Sequence, residues 1–216
     1  MGRRTLLSML IAISMSIGGA AWAVQDPTDD AGSKAQGLVR DMTGQAVALA
    51  SDSALTEGER VRRIHTLILS FIDLDRVAKF VLPRRWEAAT LDQKADFLKT
   101  FEDTQVLIWG RRLRSLSGSS IEIGEAQAED DGTWQVETRV ASSSDQPMGV
   151  RWRVRVDGQG TAKVTDVAFK GISMAVTIRD DLASILQANG QSFDALLSTL
   201  KARNAAMAAR TAEASR

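Results

Sequence analysis

Residues 150–156 read V-R-W-R-V-R-V, a strict alternation of apolar and basic side chains that decides the fold. In a β-strand, successive side chains point to opposite faces, so Trp152 and the three valines share one face and the arginines occupy the other. Strands with one apolar and one polar face are typical of an antiparallel sheet that is covered on one side only. This stretch therefore predicts a strand whose apolar face packs against other elements.

The same alternation extends to the neighbouring segments. Residues 121–123 and 167–169 alternate in this way, the latter after a turn rich in glycine. An Asp-Gly turn at residues 131–132 precedes another alternating run, whose apolar face carries Trp134, Val136, Thr138 and Val140. We therefore predict a four-stranded antiparallel meander, and the alternating residues 172–178 are a candidate fifth strand.

Helical spacing of apolar residues precedes and follows this sheet. Capping boxes at residues 56–59 and 90–93 mark two helix starts, and Asp73 can cap a short helix that ends before Pro83. The predicted helices cover about residues 33–51, 57–71, 74–82, 91–115, 179–188 and 192–205. Helices, then a sheet, then helices is the α+β pattern, and we predict one domain over residues 34–205.

The first residues have the three parts of a cleaved secretory signal. Arg3 and Arg4 are basic, residues 6–17 form a mostly apolar run, and residues 21–23 read A-W-A. An apolar run of about 12 residues is shorter than the roughly 20 that span a bilayer. We therefore expect a signal peptide over residues 1–23, exported by the Sec route because the basic segment is very short for a twin-arginine signal.

The segments that flank the domain differ from it in composition. Residues 24–33 are polar and contain Pro27, so we expect a flexible leader there. Residues 206–216 are rich in alanine and carry few large apolar side chains, so we expect a tail that is either a frayed helix or disordered. No later segment is long and apolar enough to span a membrane, and the chain left after cleavage is expected to be soluble.

The composition excludes several classes of function. The chain has 27 basic and 27 acidic residues, no cysteine and one histidine. Nucleic-acid binding is not expected without a clustered basic excess, and most metal and nucleophile schemes need cysteine or further histidines. The nearest acid to His65 in the sequence is Glu59, on a different side of a helix, so we interpret His65 as a half-buried core histidine. Asp73 and Asp75 fit helix capping, and we expect neither catalytic nor metal-binding residues.

Large apolar residues remain to be explained, since the chain has five tryptophans, six phenylalanines and seven methionines. Apolar stripes of this kind form either an ordinary packed core or the wall of a ligand cavity. The pattern alone therefore leaves open a ligand-binding protein and a structural adaptor without a ligand. A third alternative, a hydrolase that acts on lipids, would need His65 close to a serine in a cleft.

Two segments carry a family pattern. Residues 81–101 read V-L-x-x-x-W-x-x-A-T-x-x-Q-x-x-x-F-x-x-x-F. Residues 164–200 contain, in order, V-x-D-V, G-I-S-M and F-D-x-L-L-x-x-L. Together these segments resemble the MlaC family, also called the toluene-tolerance or ABC-transporter auxiliary family, over about residues 35–203.

The resemblance implies a periplasmic phospholipid carrier of Gram-negative bacteria that contributes to the lipid asymmetry of the outer membrane. It implies a monomer with bound lipid and no other cofactor, which exchanges its cargo with membrane-bound lipid-transport complexes of the inner and outer membranes. Residues 171–177 also resemble a hopanoid-associated branch, so a hopanoid-like lipid stays open as the cargo. An apolar cavity between sheet and helices would hold the acyl chains, with candidate lining residues Val77, Phe80, Val81, Phe97, Phe101, Trp109, Trp152, Val154, Val167, Phe169 and Met174.

Overall fold

A computed structural model describes residues 27–141 and 146–214. The predicted signal peptide over residues 1–23 lies outside the described residues. Within them the chain forms seven α-helices and one antiparallel sheet of five strands, which confirms the predicted α+β class. None of the described helices is both long and apolar enough to cross a membrane.

The elements follow one another as a helical half, a meander and a second helical part. The first helices are α1 (Pro27–Ser51), α2 (Glu57–Phe71), α3 (Leu74–Val81), α4 (Pro83–Ala88) and α5 (Leu91–Leu113), with a 3-10 turn at Arg114–Leu116. The strands are β1 (Ser120–Ala128), β2 (Thr133–Ala141), β3 (Met148–Val156), β4 (Ala162–Phe169) and β5 (Ile172–Ser173). The last helices are α6 (Met174–Ala188) and α7 (Phe193–Ala214).

The register of the sheet puts the predicted apolar residues on one face. The strand order is β1-β2-β3-β4-β5 and every neighbouring pair is antiparallel. Trp152 pairs with Val136 on one side and with Val167 on the other. Because directly paired residues point to the same side of a sheet, the apolar side chains of β2, β3 and β4 form one continuous surface.

The fifth strand is much shorter than residues 172–178. It spans Ile172–Ser173 only, and α6 begins at Met174. The Ser173 hydroxyl caps α6 by accepting from the Val176 amide at 3.1 Å, and it donates to the Asp166 carboxylate at 2.6 Å. A short apolar run cannot be assigned to strand or helix by its period, and this cap decides for the helix.

Both ends of the domain are more helical than predicted. The predicted leader over residues 24–33 is wrong for residues 27–33, because α1 begins at Pro27, a residue that suits the first turn of a helix. Of the two alternatives for the tail over residues 206–216, the structure has helix over residues 206–214, because α7 continues to Ala214. Pro83 ends α3 as predicted, but it also opens the additional helix α4.

Three groups of buried side chains hold these elements together. The first joins α3, α5, α6 and α7 around Phe97 and Leu182. The second group packs α1 on one half of the apolar sheet face, where Val39 lies with Val136, Val154 and Val164. The third group joins α1, α2 and α5. Ile72, which follows α2, contacts all three groups. The half of the sheet face that α1 leaves uncovered lies beside this junction.

Candidate ligand-binding cavity

A cavity of about 600 Å³ lies over the uncovered half of the sheet face. This volume is in the range of pockets that bind small organic ligands. Its floor is the sheet, through Val140, Met148, Val150, Trp152 and Phe169, and its walls include Met42 and Ala46 of α1, Leu67 and Ile68 of α2, and Trp109 and Leu113 of α5. The polar side chains that reach it include Thr43, Arg112, Ser115, Lys170 and Thr177.

The register of β2 and β3 explains the shape of the floor. Val140 pairs with Met148 and Thr138 pairs with Val150. The Trp152 indole N–H donates to the Thr138 hydroxyl at 3.0 Å, so the polar edge of the ring is satisfied inside the sheet surface. A half-buried tryptophan with its N–H paired can present the rest of its ring to an apolar ligand.

The end of α5 and the end of β4 form one side of the opening. The rings of Trp109 and Phe169 have centroids 6.2 Å apart. The Arg112 guanidinium lies over both rings, 5.5 Å from the Trp109 centroid and 5.0 Å from that of Phe169. Lys170, on the turn between β4 and β5, and Ile172, the first residue of β5, are exposed at the same opening. The cavity therefore has an apolar interior and a mouth with two cations.

Seven of the eleven predicted lining residues lie at this cavity or next to it. Trp109, Trp152, Phe169 and Met174 line it directly. A second space of about 60 Å³ adjoins it, because Trp109, Trp152 and Met174 border both. The predicted residues at this smaller space are Val77, Phe101 and Val167.

The other four predicted residues lie elsewhere. Phe97 is fully buried between Phe101, at a centroid distance of 5.5 Å, and the edge-on rings of Trp86 and Phe193. Val81 belongs to the same packed core, and Val154 is fully buried beneath α1. Phe80 is 44% exposed and lies under the Arg179 guanidinium on the surface. In each case an apolar helix or strand position faces a packed neighbour or solvent instead of the cavity.

The predicted lining residues did not include the cavity residues of α1 and α2, or those at the end of β2 and the start of β3. Val140 and Met148 continue the alternating apolar rows, so their face could be predicted. Nothing in the alternation indicates which half of that face a helix covers. Arg112 carried a separate signal, because it follows Trp109 by three positions and so shares its side of α5.

The polar residues considered as catalytic or metal-binding candidates have other partners. The His65 imidazole contacts the Glu102 carboxylate of α5, a partner distant in the sequence, and its side chain is 44% exposed. Neither residue lines the cavity. Asp73 accepts from the Arg76 amide at 2.9 Å and caps α3, as predicted. Over the described residues, no group of three acidic, histidine or cysteine side chains is placed to hold a metal ion.

Known proteins share both the sequence pattern and the fold. The chain is 23% identical over 193 residues to the toluene tolerance protein ttg2D of Pseudomonas putida, covering 89% of this chain and 86% of that protein. Its fold is similar to that of the phospholipid-binding protein from Ralstonia solanacearum, solved in complex with a phospholipid, with a TM-score of 0.71 and 21% identity. That match covers 81% of this chain and 98% of the other. The MlaC family model matches residues 40–202, and the chain therefore belongs to the MlaC family.

Proposed function

We propose that this protein is a periplasmic lipid carrier that shuttles phospholipids between the outer and inner membranes, as the soluble component of an Mla-type ABC transport system. The observation that carries the proposal is the apolar cavity of about 600 Å³ between sheet and helices. Family membership and the phospholipid bound to the Ralstonia protein support the same class of cargo.

The size of the cavity argues against a space that stays dry and empty. A dry apolar cavity costs about 24 cal/mol per Å³, which for 600 Å³ is about 14 kcal/mol. The whole free energy of unfolding of a domain is about 5–15 kcal/mol. The space is therefore filled by solvent or by a ligand, and its apolar lining favours acyl chains over water.

The thermodynamics of lipid transfer explain why a carrier needs docking partners and no catalytic residue. Two acyl chains contain about 30 methylenes, and the transfer of each from water is worth about 0.8 kcal/mol. Release into water would then cost about 24 kcal/mol, a barrier too high for useful turnover. Exchange between a bilayer and the cavity keeps the methylenes out of water, so we expect handover at membrane-bound complexes of the two membranes.

Two alternatives differ from this proposal in what fills the cavity. A hopanoid or other polycyclic lipid would use the same walls, and Ile172, Met174 and Thr177 of the hopanoid-like segment border the opening. A ligand-free adaptor would leave the cavity to water. For a lipid hydrolase, His65 would have to act at the cavity, whereas it contacts Glu102 on the α2–α5 surface.

The proposal is tested by the lipid content of the purified protein. We expect native mass spectrometry, followed by lipid extraction, to find phospholipid bound to the wild-type protein after mild purification. A lipid without phosphorus would identify the polycyclic alternative. Protein that is free of lipid, and that takes none up from vesicles, would favour the adaptor.

A matched pair of variants locates the bound lipid. Ala46 is buried and lines the cavity, whereas Ala48 on the same helix is exposed. We expect Ala46→Trp to fill part of the cavity and to reduce lipid occupancy several-fold. Ala48→Trp, which adds the same ring on the outer side of α1, is expected to keep the wild-type occupancy. Equal occupancy in both variants would contradict this location.

A further inference from the structure

Arg112 is the first of two cations at the mouth of the cavity. It lies in the last turn of α5, and its guanidinium is held over the rings of Trp109 and Phe169. Arginine can stack on aromatic faces while its N–H donors, which lie in the guanidinium plane, remain available at the edges. The stack therefore fixes the position of Arg112 at the opening without using its donors.

Lys170 is the second cation, and a tight turn places it beside the first. Phe169 pairs with Ile172, so Lys170 and Gly171 form a two-residue hairpin turn. Their φ angles are 50° and 80°, the left-handed values of a type I′ turn, in which asparagine, aspartate and glycine are the usual residues. The turn itself gives no reason for a lysine. Because Arg112 lies over Phe169, both cations belong to the same edge of the mouth.

Neither cation is neutralised within the part of the chain that the structure describes. The cavity is lined by no aspartate or glutamate there. Among the described residues neither Arg112 nor Lys170 has a carboxylate partner, whereas Arg114, two residues after Arg112, pairs with Glu57. The mouth of an apolar cavity thus presents two positive charges with free donors.

We propose that Arg112 and Lys170 select the cargo by the charge of its head group, so that the protein takes up phospholipids with a net negative charge in preference to zwitterionic ones. The inference rests on the proposed function, because it concerns the head group of a lipid whose chains fill the cavity. The phosphodiester accepts hydrogen bonds from the guanidinium and the ammonium. An ethanolamine head group carries its own cation, and the described residues place no carboxylate at the mouth to pair with it. A glycerol head group carries no cation.

The test measures selection within one membrane, so that docking is the same for both lipids. The full chain without its signal peptide is exchanged against excess vesicles that contain equal amounts of phosphatidylglycerol and phosphatidylethanolamine with identical acyl chains. The protein is then separated, and its bound lipids are extracted and quantified by mass spectrometry. We expect a preference for phosphatidylglycerol of about tenfold, which corresponds to about 1.4 kcal/mol.

Variants assign the preference to the two cations. Arg112→Gln with Lys170→Gln is expected to bring the ratio of the two bound lipids close to one. The control removes two arginines on the opposite face of β3, Arg151→Gln with Arg153→Gln, and is expected to keep the preference. Arg112→Lys keeps the charge and most of the preference. Lys170→Gln alone changes only an exposed turn residue, so it tests the inference even if the double variant is unstable.

The outcomes separate the inference from the function on which it rests. Bound lipid at a ratio near one in the wild type, or an equal loss of preference in the control pair, would overturn the inference alone. No bound phospholipid in any variant would overturn the proposed function as well. Addition of millimolar inorganic phosphate distinguishes a lipid head-group site from a free-phosphate site. We expect the ratio to be unchanged by phosphate, and its collapse would overturn the assignment to a lipid head group.

Discussion

Phe97 and Phe169 were both candidates for the cavity wall, and the structure gives them different roles that a pair of alanine variants can separate. Phe97 is fully buried and contacts three aromatic rings within 6.2 Å. Phe→Ala in a packed core costs about 3–5 kcal/mol. In a domain of this size 1 kcal/mol shifts the melting temperature by about 2–4 °C, so we expect Phe97→Ala to melt at least about 6 °C below the wild type.

Phe169 is half-buried and faces the cavity, so its removal enlarges a space that already exists. We expect Phe169→Ala to cost about 1–2 kcal/mol in protein stripped of lipid, less than a packed-core truncation, and to lower lipid occupancy clearly. Thermal unfolding of stripped and lipid-loaded protein, together with lipid quantification, measures both effects. If the two variants lost stability equally, or if Phe97→Ala lost lipid while keeping its stability, the separation of core from cavity would be refuted.

Further predictions concern the ends and turns of the fold. Asp166→Ala removes the acceptor at the start of α6, so we expect a loss of about 1–3 kcal/mol in urea unfolding and faster lipid release from loaded protein. The hydrogen bond from the Thr133 hydroxyl lowers the pKa of Asp131. A carboxylate whose pKa is lowered in the folded state stabilises the fold above its unfolded-state pKa of about 3.9. This stabilisation is lost as the pH falls through the folded-state pKa. Thr133→Val removes the hydrogen bond from the hydroxyl, so it should reduce the drop in melting temperature on acidification. His65→Ala should keep full lipid uptake in the vesicle assay. N-terminal sequencing of the exported protein should begin at Val24.

Much of the fold could be predicted from local patterns because those patterns have local causes. The alternation around Trp152 and the two capping boxes depend on neighbours within a few residues, and the structure has them where the sequence predicted them. The same reasoning predicted the wrong length for the strand at residues 172–178, because Ile172, Met174 and Val176 fit both a short strand and the first turn of a helix. The contact of Ser173 with Asp166 is decisive there, and it joins elements that the period of the sequence does not connect.

The candidate site was less predictable because it is a gap between elements. Apolar residues that pack against a helix and apolar residues that face a cavity have the same spacing, as Val154 and Trp152 on one face of β3 demonstrate. Their difference arises from the position of α1, which packs against Val154, whereas Val150 and Trp152 line the cavity. The partnership of His65 with Glu102 likewise depends on the packing of α2 against α5. The family resemblance, and not the periodicity, supplied the expectation of a cavity.

The most direct test of the central claim is the quenching of tryptophan fluorescence by a phospholipid with brominated acyl chains. Trp109 and Trp152 line the cavity, whereas Trp86 packs beside Phe97 and Trp134 lies under α1 close to Gly32. We predict strong quenching in the Trp86→Phe with Trp134→Phe variant, which keeps the cavity tryptophans, and weak quenching in the Trp109→Phe with Trp152→Phe variant. Equal quenching in the two variants, or none in either, would contradict an acyl-chain cavity at this place.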